Sequence, residues 1–115
     1  MHKTAVLLTG FNRPDLLEKS LTSILVFDQE IDLYIHLDGP RENSNVDNTE
    51  INKCINVIEK LLDDTDFKYK YSDVNLGCRN GMVSAISWFF ENVECGIIIE
   101  DDVILNRESF ELARS

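Results

Sequence analysis

The chain has 115 residues, 43% hydrophobic and 28% charged, with 11 Lys and Arg against 21 Asp and Glu for a formal charge of −10. That length fits one domain with its own core or part of a larger one, and the composition is that of a soluble globular chain. The acidity argues against non-specific binding to DNA, RNA or anionic lipid. It leaves a nucleotide open, because a metal ion and one or two Arg reverse the field locally.

Residues 5–9 (Ala-Val-Leu-Leu-Thr) read as a buried first strand, closed by Gly10. Asn12 can cap the helix that follows, and Pro14 suits its first turn, where a missing N–H costs nothing. Leu16, Leu17, Leu21, Ile24 and Leu25 form one apolar face, with Glu18 and Lys19 pointing away. Residues 31–37 alternate as a second strand and end in the turn signal Asp38-Gly39-Pro40-Arg41. Residues 42–48 read as a loop, after which Ile51, Ile55, Ile58 and Leu62 recur at helical spacing to a stop near Asp63 and Asp64. Residues 67–71 alternate aromatic and cationic side chains, as a half-buried third strand does. A loop over 72–77 leads to a helix from about Asn80 to Asn92, with Met82, Ala85, Ile86, Phe89 and Val93 inward. Trp88 and Phe90 add more apolar surface than one face needs, so this helix is expected to be sandwiched. Residues 97–99 form a fourth buried strand, and Phe110 and Leu112 belong to a last helix or turn starting near Asn106.

The alternation of strands and helices implies an α/β fold: a Rossmann-like, mostly parallel sheet flanked by helices, with right-handed crossovers. The most informative stretch is the apolar run Gly96-Ile97-Ile98-Ile99, which stops on Glu100-Asp101-Asp102. Three acids at the carboxyl end of a buried strand are expected side by side in the crevice where open α/β sheets bind ligands. Their mutual repulsion calls for a cation or a ligand hydroxyl, and an all-oxygen donor set favours Mg²⁺ or Mn²⁺ over zinc. Such an ion is most naturally shared with a phosphate. The other polar candidates, Asn12 and Arg13 after the first strand, Asp38 after the second and Arg79 and Asn80 opening the third helix, converge on the same edge.

Four motifs together resemble the nucleotide-binding part of the GT-A glycosyltransferases, particularly family-2-like and N-acetylglucosaminyltransferase-I-like members. They are Thr9-Gly10-Phe11-Asn12-Arg13-Pro14, Leu37-Asp38-Gly39, Asn75-Leu76-Gly77-Cys78-Arg79-Asn80-Gly81 and Glu100-Asp101-Asp102, and they span nearly the whole chain in that family's order. The resemblance implies that residues 1–115 bind a nucleotide-diphosphate sugar, a UDP-sugar by the hint of Asp38, and that the sugar passes to a saccharide, lipid or protein acceptor. It implies Gly10, Asn12, Arg13, Asp38, Arg79, Asn80 and Asp101 on the nucleotide side. Asp38 would accept the uracil N–H, and Arg79 and Asn80 would approach the diphosphate. Glu100 would face the donor sugar, and Asp102, in the family's DxD-type motif, would bind Mn²⁺ or Mg²⁺. GT-A enzymes run about twice this length. The resemblance therefore implies a truncated domain whose acceptor half and catalytic base lie beyond residue 115, with self-association through the face so exposed.

Two other readings use a similar sheet. A nucleotidyltransferase generally carries a Gly-rich, Lys- or Arg-bearing loop after its first strand, whereas Gly10-Phe11-Asn12-Arg13 has one glycine. A receiver-like, non-catalytic module places acids after its first strand and an Asp after its third, which this chain lacks. Taken singly, Arg13 and Arg79 suit surface ion pairs, Asp38 a turn, His36 half-buried packing and Cys78 small apolar filling. Cys54, Cys78 and Cys95 are odd in number without CxxC spacing, which favours reduced thiols over a disulfide framework or zinc site. With no stretch of membrane-span length, the expected location is cytoplasmic, compatible with peripheral attachment to the inner face of a membrane.

Overall fold

The computed structural model describes residues 3–114. Strands β1 (Thr4–Gly10), β2 (Ile31–Leu37), β3 (Phe67–Tyr71) and β4 (Ile97–Glu100) alternate with helices α1 (Pro14–Leu25), α2 (Asn45–Leu61) and α3 (Gly77–Asn92). Helix α4 (Arg107–Arg114) follows β4. Every pairing is parallel and the order is β3-β2-β1-β4. The chain steps from β1 outward to β3, and α3 then carries it back across the sheet to the far side of β1. The strand order therefore reverses between β1 and β4, and a crevice opens outside their carboxyl ends. This is a Rossmann-like α/β sheet, and its order differs from the 2-1-3-4-5 order of flavodoxin-like folds.

The period of two in β1 and β2 divides the core between two faces. Val6, Leu8, Leu33, Ile35 and Leu37 pack with Leu17, Leu21 and Ile24 of α1 and Cys54 and Ile58 of α2. Phe110 of α4 closes this side, stacked on Phe27 with ring centroids 4.5 Å apart. On the other face Ala5, Leu7 and Tyr34 meet Ala85 and Phe89 of α3. Tyr34 makes edge contacts there with Phe89 at 5.2 Å and Trp88 at 5.5 Å.

Several local expectations are corrected. Asn12 does not cap α1; the cap position is Arg13, without a side-chain cap bond, because the Asn12 amide is bonded to Asp47. Helix α2 begins at Asn45, inside the expected loop, because the Ser44 hydroxyl accepts the N–H of Asp47 at 3.1 Å. Helix α3 begins at Gly77, three residues earlier than expected. β4 is an edge strand, not a buried one: only Ile99 is buried, and Ile98 is exposed on the α3 face. β3 is the opposite edge, with only its end residues Phe67 and Tyr71 partly buried. Among the described residues α3 packs on one side only, leaving Val83 and Phe90 exposed, so it is not sandwiched.

Candidate functional site

A cavity of about 520 Å³ opens at the carboxyl ends of the strands. Its size lies within the range of small-molecule sites. Thr9, Gly10, Phe11 and Arg13 line it from β1 and its loop, His36, Asp38 and Arg41 from β2, and Glu100, Asp101 and Asp102 from β4. Asn75, Gly77, Cys78, Gly81 and Met82 complete the wall from the entry and first turns of α3.

Asp38 organises the α3 wall. Its Oδ1 accepts the N–H of Gly39 at 2.8 Å and of Leu76 at 2.9 Å, so a carboxylate from β2 caps a helix thirty-eight residues on. Asn75 Nδ2 donates to the Gly39 carbonyl at 2.9 Å and more weakly to Asp38 Oδ2 at 3.3 Å. Glycine is required at Gly39 and closely fitted at Gly81. A Cβ on Gly39 would lie 2.6 Å from backbone atoms of Ser72 and Val74, and one on Gly81 would lie 3.1 Å from Asp38 Oδ2. Gly77, with φ of 84°, turns the chain into α3, whose first N–H groups lack helical acceptors and carry the positive end of the helix dipole. Arg79 and Asn80 are exposed on that turn and do not line the cavity; Gly77 and Cys78 do.

The acids separate at the end of β4. Glu100 and Asp102 are exposed, whereas Asp101 is buried, with its Oδ1 3.5 Å from Arg13 Nη2. Burial pushes the Asp101 carboxyl above its usual range; the Arg13 charge opposes this, and Asp102 and Glu100 reinforce it. The chain turns here, Val103 N donating to the Glu100 carbonyl at 3.0 Å, so the triplet does not lie side by side as expected. Among the described residues neither Glu100 nor Asp102 pairs with a cationic side chain, and no three His, Cys, Asp or Glu side chains form a metal-holding group. One or two open rim carboxylates fit Mg²⁺ or Mn²⁺ held jointly with substrate oxygens, the usual mode for these ions, rather than a closed protein cage.

Two features of the site lay outside the sequence-derived set. The first is a buried knot around Asp47, whose side chain is fully enclosed. Its Oδ2 accepts from the Arg41 backbone N–H at 2.9 Å and Nε at 2.8 Å, and its Oδ1 from Arg41 Nη2 at 2.9 Å and Asn12 Nδ2 at 2.9 Å. Asn12 thus ties the β1 loop to α2 and is committed to structure. Arg41 is left on the cavity wall with its guanidinium 5.6 Å from the Phe11 ring centroid. The sequence carries only a local hint of a helix start here, the capping-box spacing of Ser44-Asn45-Val46-Asp47 with Asp in place of Glu, and nothing that announces Arg41 and Asn12 as partners. The second is His36, which is 2% exposed and forms part of the wall. No periodicity distinguishes such a residue from ordinary packing.

No family model matches the chain, and no curated protein matches it. Among the described residues no helix is long and apolar enough to cross a membrane.

Proposed function

We propose that this domain is the nucleotide-sugar-binding part of a metal-dependent glycosyltransferase of the GT-A type, taking a UDP-sugar as donor. The observation that carries the reading is the convergence of Asp38, Arg13 and the Glu100-Asp101-Asp102 turn on one cavity at the point where the strand order reverses. Four carboxylates line that cavity (Asp38, Glu100, Asp101, Asp102) against two guanidinium groups (Arg13, Arg41). A bare diphosphate is repelled by that surplus, whereas a diphosphate carrying a divalent cation is not.

In this reading Asp38 Oδ2, which accepts one long bond, receives the ring N–H of the base. The open α3 N-terminus at Gly77 and Cys78 faces the diphosphate and offers backbone N–H donors where charge grows as the sugar leaves. Arg79 and Asn80 reinforce that end from outside the wall. Gly10 lets the β1 loop pack closely beside Asp101 on the cavity wall, since a Cβ there would meet Leu37 at 3.1 Å and Asp101 at 3.5 Å. Arg13 holds Asp101 toward the ribose, and Glu100 faces the sugar. Asp102 is the metal ligand; when bound, the Mn²⁺ or Mg²⁺ supplies Lewis-acid stabilisation of the leaving diphosphate. The acceptor is a saccharide, lipid or protein.

Asp102→Ala tests the metal assignment, because the side chain is exposed and its removal leaves the core intact. The variant is expected to melt within about 0.5 kcal/mol of the parent, as surface substitutions do, while losing the Mn²⁺-dependent part of its UDP affinity. Unchanged Mn²⁺-dependent affinity would remove Asp102 from the site.

A further inference from the structure

The observation the proposed chemistry leaves unused is His36. It is only 2% exposed, it lines the cavity, and its Nε2 meets no donor or acceptor among the described residues. Buried polar atoms are ordinarily partnered, and an exception on a residue of the cavity wall points to a ligand as the missing partner.

We propose that His36 is a specificity-determining residue of this cavity, its Nε2 donating a hydrogen bond to a ring carbonyl of the bound base beside the N–H that Asp38 accepts. The inference rests on the nucleotide reading above and deepens it.

Three observations carry it. His36 and Asp38 are two positions apart at the end of β2, so their side chains leave the strand on the same face, the α3 face. Both have capacity to spare: Asp38 Oδ2 takes only the 3.3 Å bond from Asn75, and His36 Nε2 takes none. Gly81 keeps α3 from filling the space over Asp38, since a Cβ there would reach within 3.1 Å of Oδ2.

The protonation state suits the role. Burial lowers the imidazole pKa; the Asp38 carboxylate opposes this and the Lys70 ammonium adds to it. The ring is therefore neutral near pH 7, and the tautomer protonated on Nε2 makes that atom a donor. A carboxylate acceptor beside an imidazole donor complements an N–H next to a C=O, the edge of uracil. With its ring position fixed by the ribose, cytosine would turn the lone pair of its unprotonated ring nitrogen toward the carboxylate.

The test is calorimetric titration of UDP, CDP and inorganic pyrophosphate, each with Mn²⁺, into the parent chain and into His36→Phe and His36→Gln. His36→Phe is expected to weaken UDP about tenfold, the value of one hydrogen bond of ordinary strength, and to narrow the preference for UDP over CDP. Pyrophosphate should be unaffected, and His36→Gln, which keeps a donor, should recover part of the loss. UDP affinity unchanged in His36→Phe, or an equal loss for pyrophosphate, would overturn the inference. Should the variants fold poorly, the ¹⁵N resonance of Nε2 in the parent chain replaces them: it should move on saturation with UDP, and a stationary resonance would overturn the contact. A parent chain that binds no UDP would overturn the nucleotide reading as well; one that binds UDP while His36 stays silent would overturn only this inference.

Discussion

Asp47 is the residue on which the β1 and β2 loops depend. The Arg41 side chain, opposed by burial and helped by the Arg41 and Asn12 N–H groups, holds its carboxyl well below the usual carboxylate range. A folded-state pKa below the unfolded value of about 3.9 stabilises the fold at pH above that value and ceases to do so as pH falls through the folded pKa. Asp47→Ala is therefore expected to lower the melting temperature by several degrees at pH 7, with the gap to the parent closing on acidification below about pH 4. Thermal melts at pH 7 and pH 3 check this, and a gap independent of pH would contradict it. The same variant frees Arg41 and Asn12, so UDP affinity should fall although Asp47 itself does not line the cavity. The place of Asp102 at the cavity, by contrast, was legible from the sequence, because an acid at the end of an apolar run projects beyond the strand. Asp47 and His36 were not, because each matters through partners, or the lack of one, that only the tertiary arrangement supplies.

The element that shapes the cavity most is α3, and it is held by little. Phe89 is fully buried and, with Ala85, is the buried hydrophobic part of α3 against the sheet, with Ile86 and Trp88 packed beside them. Phe89→Ala is expected to cost about 3–5 kcal/mol, the usual range for emptying an aromatic core position, read as a lower urea midpoint at unchanged slope. Gly39→Ala attacks the same wall from below. Its Cβ would collide with the backbone at Ser72 and Val74, so the loop carrying Asn75 must shift and nucleotide affinity should drop more than tenfold by titration. Full affinity in that variant would show that the loop does not frame the site. All four strands were visible as apolar or alternating runs. The starts of α2 and α3 were not, because Ser44 was read as loop and the cap of α3 is Asp38, a residue from another element. β4 looked buried because Ile97, Ile98 and Ile99 are continuous, and apolar continuity does not reveal whether a strand has a neighbour on both edges.

At the scale of the whole molecule, the order β3-β2-β1-β4 decides which loops meet. The alternation of elements implied a parallel sheet but left open on which side of β1 the last strand would pair. That pairing brings the β4 acids across from Arg13 and, with the loops after β1 and β2, into one cavity. Arg79 and Asn80 are exposed on the first turn of α3 and outside the cavity wall, where the linear motif alone set them at the diphosphate. The measurement that bears most directly on this account is calorimetric titration of UDP into the intact chain, with Mn²⁺ and again with EDTA. Saturable binding at micromolar to millimolar strength, about 4–8 kcal/mol of binding free energy, is expected with Mn²⁺ and is expected to be lost in EDTA. Absence of binding in both conditions, or binding of the same strength in EDTA, would contradict it.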